Sequence, residues 1–172
     1  MEINFKRLQK DIDELSHIGR SSEDMGIYRM AFSKADMEAR AWLKQRIEDA
    51  NLEFAQDGAA NIFGKVNTQA NRPSVLMGSH IDSVPAAGHL DGALGVLTAL
   101  ECLRRVREEN IQTNFGLEMV AFSDEEGRFG GLLGSEALVG GITPERIHNA
   151  QDLSGLTLRD AMGKYGMDAG GG

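Results

Sequence analysis

Residues 74–106, SVLMGSHIDSVPAAGHLDGALGVLTALECLRRV, decide the fold. The stretch opens on SVLMGS, a nearly continuous apolar run of the kind expected for a strand buried on both faces. It closes on residues 92–109, where Leu94, Leu97, Leu100, Leu103 and Val106 recur at helical spacing and predict a helix with one buried stripe. Between strand and helix lies a turn holding His80, Asp82 and Asp91. A surface loop needs polarity, but not three ionisable groups crowded beside apolar runs.

The same texture continues on either side. Residues 3–18 carry Phe5, Leu8, Ile12, Leu15 and Ile18 at steps of three and four, an amphipathic helix. A loop follows over 19–30. Ser33 is placed to cap a second helix that ends near Asn51, with Asp36 in its first turn and Met37, Ala41, Leu43 and Ile47 as its apolar contacts. LEFAQD and NIFGKV read as two strands around a turn at 57–60, and residues 71–73 as a break. FGLEMVAFS is a further buried strand, and 134–139 and 153–162 are short helices. Strands alternating with helices predict an α/β layered fold. The end, MDAGGG, reads as a flexible stub or the start of a linker.

Composition narrows the function classes. The 172 residues suggest one domain, or one and a fragment of another, and 41% hydrophobic with 26% charged residues is ordinary for a globular protein. A net charge of −8 lacks the basic stripe that a nucleic-acid surface needs. The charged opening MEINFKRLQKDIDEL is neither a signal peptide nor a membrane span, so the expected compartment is the cytoplasm, with no nucleic-acid or membrane partner. The single cysteine, Cys102, excludes an intramolecular disulfide and reads as a small core residue.

In open α/β sheets reactive groups collect beyond the carboxyl ends of strands, and both unusual clusters fall there. The first is GSHIDS after SVLM. His80 and Asp82, two apart in extended chain, face one way, so Asp82 could hold the second nitrogen of a metal-ligating His80. The pair also fits an ordinary polar strand end. Asp91, 11 positions on from His80, fits a helix cap or a carboxylate bridging two cations. The second cluster is SDEEGRFGG after LEMVAF. Asp124, Glu125 and Glu126 in a row repel one another unless a cation sits among them. One glutamate could then bind metal and its neighbour take a proton from water; the other reading is an exposed acidic turn.

Taken together, GSHIDSVPAAGHLDGALGV (78–96), DEEGRFGGLLGSEAL (124–138) and Asp57 four residues ahead of NIFGK (61–65) resemble the amidase/carbamoylase branch of the dinuclear zinc-dependent hydrolases. That branch includes N-carbamoyl-L-amino acid hydrolases, allantoate amidohydrolases and β-ureidopropionases. The resemblance runs from the first helix through YRMAFSKADMEARAWL (28–43) to LSGLTLRDAM (153–162). It implies a three-layer, zinc-exopeptidase-like catalytic domain with a mixed sheet. It implies two divalent metal ions, zinc first, with manganese or cobalt as alternatives. In that scheme His80 ligates one metal with Asp82 behind it, Asp91 bridges both, Glu126 ligates the other, and Glu125 is the general base. The implied reaction is hydrolysis of a linear C–N bond in a small ureido or amide substrate, by a full-length form that is a homodimer.

The match is incomplete. The family's two further metal histidines, one in a segment like His-Ile-Glu-Gln-Gly, have no counterpart. His17 reads as a surface residue, His89 as part of a variable loop, and His148 as solvated or a helix-end cation. Residues 1–172 therefore resemble the amino-terminal part of the metal-binding catalytic domain, without the inserted lid and dimerisation domain or the carboxy-terminal part. No substrate-binding residue is assigned. Such a chain is expected to bind metal weakly, not to turn over alone, and to leave an exposed sheet edge. Two other readings stand beside this one: a peptidase or N-acyl amino acid deacylase on the same scaffold, and a non-catalytic α/β interaction module.

Overall fold

The computed structural model describes residues 2–69 and 72–168. Asn71 of the expected break and residues 169–172 of the glycine-rich end lie outside these. The first helix, α1 (Phe5–His17), starts where the Asn4 side chain accepts the Arg7 amide, and it buries Leu8 and Leu15. In α2 (Lys34–Asp49) the Ser33 hydroxyl accepts the Asp36 amide at 3.2 Å, the cap that the sequence predicts. Its inner face carries Ala39, Leu43 and Ile47, whereas Ala41 points to solvent. Asp36 and Arg40 are also buried on that face. They form an i,i+4 ion pair at 2.8 Å, and the Asp36 carboxylate accepts the Phe32 amide at 2.8 Å as well.

Strands β1 (Glu53–Gln56) and β2 (Ile62–Val66) are antiparallel around a turn stapled by Asp57, whose carboxylate accepts the amides of Ala59 and Asn61. Strand β3 (Ser74–His80) leads through α3 (Ala93–Glu108) to β4 (Gly116–Phe122), which lies parallel beside β3. A parallel return needs such a crossover. Since β2 and β4 are antiparallel, the four-stranded sheet is mixed, in the order β1-β2-β4-β3. The expectation of an α/β fold with a mixed sheet is met.

One sheet face presents Ile62, Val66, Met119 and Ala121 to α2 and α3, where Ile47, Leu97, Leu100 and Leu103 complete the main core. Three short helices, α4 (Leu133–Leu138), α5 (Pro144–Asn149) and α6 (Leu158–Gly163), follow β4 and close a second core around Phe32, Phe129, Leu158 and Met162. Among the described residues no helix is long and apolar enough to cross a membrane.

Five local readings differ from the structure. SVLMGS is not buried on both faces: β3 is an edge strand, and Val75 and Leu76 are 49% and 39% exposed. An apolar run cannot reveal whether a second neighbour pairs with it. Leu94 is exposed and Val96 takes its place in the buried stripe, while Cys102 is only half-buried, at the margin of α3 and not within the core. The expected helix over 153–162 begins only at Leu158, where Thr157 caps it. Finally, α5 was not foreseen, although Thr143 followed by Pro144 is a cap and a first-turn proline.

Candidate metal centre

The parallel register sets the site. His80 pairs with Phe122, so the chains leaving β3 and β4 emerge side by side. The β3 exit is fixed from beneath by Arg29, almost fully buried. Its Nε donates to the Ile81 carbonyl at 2.6 Å, and its Nη1 donates to the carbonyls of Leu15 and Ile18 at the end of α1. Arg29 and Ser83 also exchange bonds, the Arg29 amide donating to the Ser83 hydroxyl and the Ser83 amide to the Arg29 carbonyl. Burial pulls the Arg29 guanidinium below its ordinary pKa, offset in part by the carboxylates of Asp36 and Asp82. The β4 exit is held by Asn61, whose side chain accepts the Ser123 amide and donates to the Gly134 carbonyl and to Asp57.

On these two supports His80, Asp91 and Glu126 come together. Each offers one ligand atom, and these atoms lie within 4.8 Å of one another. His80 Nε2 stands 3.7 Å from Glu126 Oε1. Two donors on one tetrahedral zinc stand about 3.4 Å apart, as metal–ligand bonds of about 2.1 Å require. The trio is thus spaced to hold a divalent cation, and an imidazole with two carboxylates is a fitting donor set.

Asp91 does not cap α3. The cap position belongs to Gly92, with no side-chain bond, which leaves the Asp91 carboxylate to face the strand ends. Gly92 has φ +62°, and a Cβ there would fall 2.5 Å from His80 Nδ1 and 2.6 Å from Nε2. The imidazole therefore packs directly on the Gly92 backbone.

Asp82, 1% exposed, acts in two ways. Its backbone carbonyl lies 3.0 Å from His80 Nδ1, closer than its carboxylate at 3.8 Å. With Nδ1 engaged there, Nε2 is presented to the cluster. The carboxylate instead accepts the amides of Glu126 at 3.1 Å and Glu125 at 3.4 Å, tying the two strand exits together. Burial, with the nearby Asp36 carboxylate adding to it, pushes the Asp82 carboxyl up to about 6.

The three consecutive acids part company. Asp124, at φ +50°, turns inward and accepts the Phe129 amide at 3.0 Å; burial pushes its carboxyl up to about 7. It is therefore part of the turn and not of the cation rim. Glu125 lies outside the trio as well. Its two oxygens accept the amide and the hydroxyl of Ser135 in the first turn of α4, each at 2.9 Å. Only Glu126 faces His80. His17 is exposed and bonded to the Asp13 carbonyl, and neither His89 nor His148 joins the cluster. Gly92 and Ser135 were quoted within the sequence motifs without a role. Gly92 could have been found from its place between a strand-end aspartate and a helix; nothing local marked Ser135 as the partner of Glu125.

A mixed α/β domain with a candidate divalent-cation site at its strand ends is the class that fold and geometry define. The chain belongs to peptidase family M28, whose model matches residues 61–168. It is 36% identical over 167 residues to an N-carbamoyl-L-amino-acid amidohydrolase of Pseudomonas sp. (strain NS671), covering 95% of this chain and 40% of that protein. It is 33% identical over 162 residues to the allantoate amidohydrolase of Bacillus subtilis (strain 168), covering 92% and 39%. A crystal structure of a hydantoinase/carbamoylase family amidase from Burkholderia ambifaria superposes with a TM-score of 0.90 at 32% identity, covering 97% of this chain and 41% of that one. The resemblance to the amidase/carbamoylase branch is thereby borne out. The chain spans about 40% of the length of these curated relatives.

Proposed function

We propose that this chain supplies one side of the active site of a metal-dependent amidohydrolase that cleaves a linear C–N bond in a small ureido or amide substrate, an N-carbamoyl amino acid or an allantoate-like compound. The observation that carries the reading is the convergence of His80, Asp91 and Glu126 beyond the carboxyl ends of two parallel strands. The names of the relatives support the substrate class. We further infer two divalent ions, zinc first and manganese or cobalt next, with His80 and Asp91 serving one, Asp91 and Glu126 the other.

A divalent cation in such a site polarises a carbonyl oxygen and lowers the pKa of water. The chain's own residues do the rest. His80 presents Nε2 because Nδ1 is occupied by the Asp82 carbonyl. Asp91 and Glu126 supply the negative charge that offsets the cation. Glu125 takes a proton from water and delivers it to the leaving nitrogen, for which its carboxylate must share or leave its bonds to Ser135. With an N-carbamoyl amino acid, water is consumed and the amino acid, carbon dioxide and ammonia are released. The whole protein acts as a cytoplasmic homodimer in this reading, with no nucleic-acid or membrane partner.

Hydrolysis by the full-length polypeptide is the test, read as ammonia from N-carbamoyl amino acids and allantoate and as free amino acid from dipeptides and N-acyl amino acids. Release from the ureido substrates, lost with a chelator, restored by zinc or manganese, and reduced by several orders of magnitude in His80→Ala, is the expected result. Turnover of dipeptides alone would favour the second reading, a peptidase on the same scaffold, which the name of the matching family supports. Each ion has only two protein ligands from residues 1–172, one short of the usual three. The 172-residue chain alone is thus expected to lose metal on dialysis and to release no ammonia. Two retained equivalents of zinc with turnover would contradict this.

A further inference from the structure

Residues 123–125 and 132–135 are laced together where the chain leaves β4. The amides of Gly134, Leu133 and Leu132 donate to the carbonyls of Ser123, Asp124 and Glu125 at 2.8, 3.3 and 3.4 Å. The next amide, that of Ser135, donates to the Glu125 side chain instead, and the Ser135 hydroxyl donates to its second oxygen. One side chain from another strand holds this lacing. Asn61, fully buried just ahead of β2, accepts the Ser123 amide on Oδ1 at 3.1 Å and donates from Nδ2 to the Gly134 carbonyl at 2.9 Å. The second Nδ2 hydrogen goes to Asp57 Oδ2 at 2.8 Å, so both donors are used and the amide has one orientation. Gly134 leaves no room between them: a Cβ there would fall 2.1 Å from Asn61 Oδ1 and 2.5 Å from the Ser123 nitrogen.

We propose that Asn61 and Ser135 are positioning residues for proton transfer, Asn61 fixing the start of α4 against the β4 exit and Ser135 fixing the Glu125 carboxylate from there. The inference rests on the reading of Glu125 as the general base. Such a base works only within hydrogen-bond reach of the proton it takes. The Glu125 amide is tied to Asp82 on the β3 side, and its carboxylate is tied through Ser135 to the Asn61 network on the β2 side. A carboxylate has about four acceptor sites, so the Ser135 bonds leave about two for water. The same grip divides the labour of two adjacent acids. With Glu125 held by Ser135, Glu126 alone meets His80.

Steady-state kinetics of the full-length polypeptide on an N-carbamoyl amino acid or allantoate test this, together with zinc content and crystal structures of the variants. Asn61→Asp keeps Oδ1 but gives no hydrogen to Gly134, and it is expected to lower kcat about 100-fold, as a shift of about 1 Å at a reacting group does. Ser135→Ala, at a half-buried position, keeps the amide bond and loses about tenfold. KM and zinc content stay at the parent values, and Ser135→Thr, which keeps the hydroxyl, recovers most of the loss. In a Glu125→Gln background neither substitution costs anything further, because both act through that carboxylate. Crystals of Asn61→Asp show the Glu125 carboxylate displaced with His80, Asp91 and Glu126 in place; the Ser135 variants decide alone should Asn61→Asp not fold. Parent-like kcat in the variants, a raised KM or lost zinc in place of a lowered kcat, or an equal loss in the Glu125→Gln background would overturn the positioning role, while an inactive Glu125→Gln keeps the base. Parent-like kcat in Glu125→Gln would remove the base reading and this inference with it.

Discussion

Gly92→Ala is expected to lower divalent-cation affinity about 100-fold, the upper end of what displacement of a ligand's supporting group costs. Two effects act at one position. At φ +62° and ψ −49° the backbone is open to glycine but strained for any other residue, by about 1–3 kcal/mol. The added methyl also occupies the space of the His80 ring, so relief comes only if the imidazole swings out or the start of α3 shifts. Either movement separates His80 from Asp91, which neighbours the substituted residue. Gly88→Ala, in the same loop with nothing within 4 Å of the new Cβ, is the control and is expected to bind normally. Calorimetric titration with zinc reads both; equal affinity of the Gly92 variant and the parent would remove the packing argument.

Asp82→Asn should separate stability from cation binding. In the folded chain without metal the Asp82 carboxyl titrates at about 6, against about 3.9 in an unfolded chain. Between these values the folded state binds more protons than the unfolded state. Stability of the metal-free chain therefore falls as pH rises through that window, and it stays low above it. Asp124, held up to about 7, extends the same trend upward. An asparagine at 82 has no such titration. The variant is expected to lose the part of the slope between pH 4 and 6, and to be at least as stable as the parent at pH 7.5 in chelator. Cation affinity should nevertheless fall about 10- to 100-fold, because one of the two oxygens that accept the Glu125 and Glu126 amides becomes an amide nitrogen, which cannot accept. Urea melts from pH 4 to 7.5 and a zinc titration measure the two sides. Unchanged slopes, or a loss of stability at pH 7.5 with unchanged affinity, would contradict the account.

The readable parts of this sequence were those whose cause is local. Ser33 caps α2 because a hydroxyl ahead of a helical pattern has little else to do, and Asp57 closes its turn for a similar reason. The site turn stood out because His80, Asp91 and Glu126 are ionisable groups beside apolar runs, where only a shared partner makes their company favourable. What could not be read depends on neighbours distant along the chain. SVLM has the texture of a central strand, yet its exposure follows from the sheet order, which places β3 outermost. Leu94 keeps the helical spacing of a core residue, but at the first turn of α3 that face overhangs β3. The acids 124–126 look alike on paper. A left-handed residue at 124 sends one carboxylate into the turn, Ser135 draws the second away, and only the third meets the histidine. The contact of His80 with the Asp82 carbonyl could not be anticipated either, since residue types announce side chains and not the direction of a peptide group.

The most direct measurement is anomalous diffraction at the zinc edge from crystals of the chain soaked in millimolar zinc, a concentration that fills even a weak site. Zinc peaks within reach of His80 Nε2 and the carboxylates of Asp91 and Glu126, with the peak beside His80 missing in His80→Ala, are the predicted result. Zinc found only elsewhere, or an unchanged peak in that variant, would contradict the account.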